Sequence, residues 1–120
     1  MLISTLRGAT LNWAVAKCER KPVHIIGEPH VKDPYLQIAD VSLGCDDVYS
    51  PSTDWSQGGL IIEREEICIS PSVSSEGVGW YASLPHITVL AWGETPLIAA
   101  MVCYVISKLG YEIDIPEELL

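Results

Sequence analysis

Apolar positions recur along this chain at helical spacing in some stretches and alternate at strand spacing in others, and each rhythm predicts an element. From Thr10 to Glu19, the residues Leu11, Ala14, Val15 and Cys18 fall at i, i+3, i+4 and i+7, the stripe of a helix with one face toward a core. Trp13 lies off that stripe, on the side of Lys17 and Arg20. Far down the chain, Thr95-Pro96 has the chemistry of a helix start: a hydroxyl that can accept from an unpaired amide, then a ring already fixed near helical φ. The helix it opens runs to Leu109 and stops at Gly110. Leu97, Ile98, Met101, Val102, Val105, Ile106 and Leu109 cover about half its circumference, which predicts the most buried element. Ala99, Cys103 and Ser107 add a stripe of small side chains, along which a neighbouring helix or a second copy of the chain can come close.

The strand rhythm predicts Val23 to Ile26 and Tyr35 to Leu43, separated by an exposed loop with Gly27, Pro29, Asp33 and Pro34. It returns at Glu66 to Ser70, with Ile67 and Ile69 on one face, and at Val78 to Leu84, with Trp80, Ala82 and Leu84 together. These two form an antiparallel hairpin around a long Ser/Gly-rich connection, Pro71 to Gly79. After Pro85 a last strand covers His86 to Ala91. The tail Tyr111 to Pro116 alternates as well, so it either adds to a sheet edge or frays. The expectation is one α+β domain over residues 1–120, built on an antiparallel sheet of roughly four strands, with residues 22–48 a variable, insert-like segment.

Between the halves lies Tyr49 to Ile67, the stretch richest in special chemistry. Ser50, Ser52, Thr53 and Asp54 carry short oxygens that suit a helix start, and Pro51 suits a first turn. Gly58-Gly59 then predicts a break, since each glycine costs a helix about 1 kcal/mol relative to alanine. A short turn, a break, and a second helical turn from Leu60 to Glu65 follow from this reading.

The run Ser50-Pro51-Ser52-Thr53-Asp54-Trp55, followed by Gly58-Gly59 and Ile61-Ile62-Glu63-Arg64-Glu65, resembles the phage NinX-like family, a lambdoid phage and prophage domain of unknown function. The chain is similar more loosely to the phage α-β-α sandwich domain. Leu11 to Lys17, Thr95 to Met101 and Ser107 to Gly110 share in the resemblance, while Pro22 to Val48 does not, and Leu60 stands where the family often has proline. The resemblance implies helices on both faces of the sheet and a phage-encoded accessory protein. It brings no catalytic residues.

Composition narrows the classes. Apolar residues make up 48% and charged ones 19%, which supports a folded core, and the aromatic bulk comes from four Trp and five Tyr with no Phe. A net charge of −9 with only seven Lys and Arg argues against nucleic-acid binding, because phosphate neutralisation supplies most of that affinity. Met1 to Arg7 lacks a signal-peptide core, and Gly93 to Pro96 interrupts the longest apolar stretch, so no membrane span is expected and the protein is placed in the bacterial host cytosol. Cys18, Cys45, Cys68 and Cys103 have no paired spacing and are expected to be reduced there.

Candidate chemistry is sparse. No spacing among the cysteines and His24, His30 and His86 suits a metal, and no cofactor is expected. Asp46-Asp47 and Glu63, Glu65 and Glu66 read as solvated charge, with Arg64 beside them, and Asp54 reads as a cap rather than a base. No nucleophile elbow or phosphate loop is present, so the expectation is a protein that binds and does not catalyse. Helix starts gather unpaired amides and attract anions. The candidate ligand-binding set is therefore Ser50, Ser52, Thr53, Asp54, Trp55, Gln57, Gly58 and Gly59, joined by Trp13 and Lys17 as an indole beside a cation. The expected ligand is a small nucleotide-type molecule, such as a signal of host defence, held by a homo-oligomer. The alternatives are a purely structural motif, a module docking on a host or phage protein through the acidic tail or the Trp13 face, and a nucleotide hydrolase using Asp54 or Glu63.

Overall fold

The long C-terminal helix is the hub. In the computed structural model, which describes residues 1–26, 35–38, 48–74 and 77–119, the elements follow as α1 (Ala9–Glu19), β1 (Val23–Ile26), β2 (Tyr35–Ile38), α2 (Trp55–Glu65), β3 (Cys68–Ser74), β4 (Gly77–Leu84), β5 (Ile87–Gly93) and α3 (Pro96–Leu109). Short 3-10 turns cover Ile3–Thr5 and Glu117–Leu119. The Thr95 hydroxyl accepts from Ile98 N at 3.1 Å and Pro96 opens the helix, as its sequence predicts, and Gly110 closes it at φ +85°. Every residue from Ala99 to Ile106 is buried, because α3 is covered on one side by β3, β4 and β5 and on others by α1, α2 and the first 3-10 turn.

Two antiparallel sheets form among the described residues: a pair β1-β2 and a three-stranded sheet in the order β3-β4-β5. The expected sheet of roughly four strands is thus divided. The remainder of the predicted strand Tyr35 to Leu43 lies outside the described residues. Within the larger sheet, Ala82 pairs with Ile69 and with Ala91, which puts Ile69, Ala82, Val89 and Ala91 on the face that meets α3. A Cβ on Gly93 would lie 2.5 Å from the backbone nitrogen of Ala99, so strand and helix touch there through small residues. The close approach expected along the small-residue stripe of α3 is taken, at Ala99, by β5.

Several local expectations change. Helix α2 runs unbroken through Gly58-Gly59, since packing outweighs the propensity cost: Gly58 is buried against the Pro51 carbonyl and Leu97, where a side chain would not fit. Strand β3 begins at Cys68, after Glu66 closes α2 in the left-handed region at φ 56°. It continues through Pro71 to Ser74, paired with β4 as far as Gly77, so strand takes up most of the expected connection, and residues 75 and 76 lie outside the described residues. Pro71 is tolerated because β3 is an edge strand and the ring nitrogen, having no proton to give, can face away from β4. Strand β5 extends to Gly93.

Helix α3 packs on one face of the three-stranded sheet. Helices α1 and α2 pack on α3, and α1 also meets β2. On the other face Leu90 is 67% exposed, and the Trp92 ring lies on Gly79, where a Cβ would come within 2.5 Å of Trp92 Cζ2. The tail is held by the chain's own start: Ile3 N donates to Tyr111 O at 2.9 Å, Ile113 N to Met1 O at 3.0 Å, and both Ile3 and Ile113 are buried.

Candidate functional site

The Ser50 to Gly59 segment is a turn feeding a helix, and its polar atoms largely satisfy one another. Ser50 O accepts Thr53 N at 3.1 Å and Asp54 N at 2.8 Å, closing the turn around Pro51. Asp54 is the N-cap of α2: its Oδ1 accepts Ser56 N at 2.9 Å and Ser56 Oγ at 2.6 Å. These bonds, the Ser56 hydroxyl first, hold its carboxyl below the usual range. Gln57 staples the incoming chain to the helix, its Oε1 accepting Ser50 N at 2.8 Å and its Nε2 donating to Val48 O at 2.9 Å. Beneath the turn, Ser52 is 1% exposed and donates both N and Oγ to Asn12 Oδ1 on α1, at 3.0 and 2.7 Å.

A second polar seam ties the ends of the three helices together. Arg64 on α2 gives Glu19 on α1 a two-pronged pair, Nη1 to Oε1 at 2.9 Å and Nη2 to Oε2 at 2.7 Å. Tyr104 on α3 donates its hydroxyl to Glu19 Oε2 and accepts from Arg64 Nη2. Glu65 completes the seam, receiving Arg64 Nε at 3.0 Å and facing Lys108 Nζ at 3.4 Å. The Arg64 bonds hold the Glu19 carboxyl low despite the opposing effect of burial, while burial and then the Glu19 bond push the Tyr104 hydroxyl up. Arg64 and Glu65, read from sequence as surface charge, therefore join elements far apart in the chain.

Between seam and cap lies a half-open hollow of about 600 Å³, lined by Glu19, Lys21, Val48, Tyr49, Ser50, Asp54, Ser56, Gln57, Leu60, Ile61 and Arg64. Lys21 Nζ sits 5.5 Å from the centre of the Tyr49 ring, itself buried at 4% exposure. Of the residues proposed from sequence, Ser50, Asp54 and Gln57 line this hollow. Ser52 and Gly58 are buried beneath the turn, and Thr53 is exposed on it. Trp55 is 57% exposed, and its ring runs along the helix over Gly59 rather than into the hollow. Trp13 is half-buried against the core with Lys17 Nζ 5.3 Å from its ring centre. Lys17 borders a separate hollow of about 410 Å³ with Met1, Leu109, Glu112, Ile113 and Asp114. The two indoles thus do not meet at the motif.

The helix start has little left for an anion. Ser56 N bonds to the Asp54 side chain, and Gln57 N and Gly58 N both donate to Asp54 O, so of the first four amides of α2 only that of Trp55 lacks such an internal acceptor among the described residues. Lys21, Tyr49, Glu19 and Arg64 escaped the sequence reading because nothing local relates residues near 20, 49 and 64. The one available signal was that α1 ends at Glu19 with Lys21 directly behind it. Among the described residues no three His, Cys, Asp or Glu side chains gather in a metal-binding group, and no helix is long and apolar enough to cross a membrane. Cys18, Cys68 and Cys103 are free thiols, and burial pushes those of Cys18 and Cys103 up to about 11.

Fold and site together define a small α+β domain whose distinctive motif is a capped turn beside an amphipathic hollow. Residues 2–108 match the family model described as Bacteriophage P22, NinX, and the chain belongs to that phage protein family. No curated protein matches it.

Proposed function

We propose that this NinX-family protein is a phage accessory protein that acts by binding without catalysis, and that the hollow beside Ser50, Asp54 and Gln57 receives a small ligand of nucleotide type. The observation that carries this reading is the hollow itself, walled partly by the motif and partly by the ends of α1 and α2, with apolar, hydroxyl and charged groups in one lining. Its carboxylates favour binding over chemistry. Glu19 and Asp54 are held ionised by their hydrogen bonds, whereas a general acid or base needs a proton affinity near the working pH. Glu63, the other candidate for a hydrolase, is exposed on α2 and does not border the hollow. The test is a melting-temperature panel of nucleotides at millimolar concentration. A ligand at about 100 times its Kd stabilises the fold by about 2.7 kcal/mol, which is readily seen, and no shift with any member of the panel discards the reading.

A protein-docking role has separate support in the open side of the three-stranded sheet. Leu90 is exposed there, while Val73 and Val78, about four-fifths exposed at the hairpin end, add apolar surface on the opposite face, the one that carries Ala82. Capture from host lysate that is lost on changing Leu90 to Lys, with no ligand shift, favours docking over the hollow.

A further inference from the structure

The groups facing the hollow are unequally spent. Glu19 already accepts from Tyr104 and from two nitrogens of Arg64, and Asp54 from Ser56 N, Ser56 Oγ and Gln57 Nε2. Arg64 is committed to Glu19 and Glu65, and the Gln57 amide to Ser50 and Val48. The wall at Tyr49 differs. Lys21 presents an ammonium there, placed by the Tyr49 ring, and the adjacent Ser50 hydroxyl donates to no protein atom among the described residues. The same hollow offers apolar surface from Val48, Ile61 and Leu60, the last 67% exposed.

Resting on the hollow as the binding site, we infer that it takes an oxyanion, carboxylate or phosphate, carried on an apolar body, with Lys21 as the residue that reads the charge and Ser50 as a second donor. The four charged lining groups sum to zero, so the general field of the hollow does not attract anions. Preference comes from where donors remain available. An oxyanion at Lys21 gains charge-assisted bonds without displacing any side-chain hydrogen bond among the described residues, whereas at Glu19 or Asp54 a ligand cation would have to compete with donors already in place. The body then covers Val48 and Leu60, removing apolar surface from water.

The test uses the full chain and matched probes that differ only in charge: adenosine monophosphate against adenosine, and 4-phenylbutyrate against its amide. Affinities are read by calorimetry or by NMR titration. The expected result is at least tenfold tighter binding of the anion in one or both pairs, which source it is being shown by the pair that responds. That preference is lost in Lys21→Gln and retained in Lys21→Arg, with unchanged melting temperature, since the Lys21 side chain is exposed. A neutral partner that binds as well as its anion, or a preference that survives in Lys21→Gln, overturns the assignment while leaving the hollow a binding site. No binding of any probe overturns both.

Discussion

Adding one methyl group at Gly58 or at Gly59 gives opposite expected results one residue apart. At Gly59 a Cβ meets only Trp55 Cε3 at 3.8 Å, an ordinary contact, so Gly59→Ala gains the difference in helix propensity, about 0.5–1 kcal/mol. At Gly58 the same atom would lie 2.6 Å from Leu97 Cδ2 and closer still to the Pro51 carbonyl oxygen. A backbone oxygen cannot rotate away, so α2 must lift from the turn, at an overpacking cost of about 1–3 kcal/mol or more. Set against the propensity gain, Gly58→Ala is expected to lose about 1–2 kcal/mol. For a chain of this size that separates the two variants by roughly 5–10 °C in melting temperature. Urea unfolding of both variants beside the parent gives the same comparison as free energies. If Gly59→Ala destabilises, the helix is broken at the glycines; if Gly58→Ala stabilises, α2 does not press on Pro51. Either result refutes the packing described.

Other outcomes follow from the two polar seams. Asn12→Ala strands the buried Ser52 N–H and hydroxyl and should cost about 2–3 kcal/mol by urea unfolding; a loss under about 0.5 kcal/mol would mean the Asn12 bonds are not formed. Tyr104→Phe removes a donor to an ionised Glu19 and should cost about 1.5–2 kcal/mol near neutral pH, with an unchanged stability contradicting the seam. Glu19 and Glu65 in the seam, and Glu94, which accepts from Arg7 Nε at 2.8 Å, all have depressed folded-state values, so their contribution is present above the ordinary glutamate value of 4.5 and is lost as pH falls below it. The urea midpoint should therefore drop from pH 6 to pH 4, and the deficit of Tyr104→Phe should shrink over that range; a flat profile would contradict the pairing.

What could be read from the sequence was whatever local chemistry dictates. Thr95-Pro96 and Gly110 bound α3 as expected because capping and φ restriction act within a few residues, and Asp54 caps α2 for the same reason. The glycine pair misled because Gly58 answers to Pro51 and Leu97, the latter nearly forty positions away, and propensity carries no record of that contact. Pro71 misled for a related reason: whether proline ends a strand or sits within it depends on which edge faces out, which is a property of the whole sheet. Ser50 and Asp54 stand out by their capping chemistry and Gln57 as a member of the same run, whereas Lys21, Tyr49 and the Glu19–Arg64 pair come together only when α1 and α2 dock on α3. Trp13 stands out as an indole beside cations, and Lys17 does lie near its ring, but neither residue lines the hollow beside the motif.

The claim at the centre is that the hollow between the Ser50–Gln57 turn and the ends of α1 and α2 is where a small ligand sits. Titrating isotope-labelled protein with adenosine monophosphate and following backbone amides tests it most directly. The account predicts saturable shifts at Lys21, Tyr49, Ser50, Gln57 and Leu60, with Leu90 and Val78 unmoved. Shifts confined to the open sheet face, or a spectrum that does not change at millimolar ligand, would contradict it.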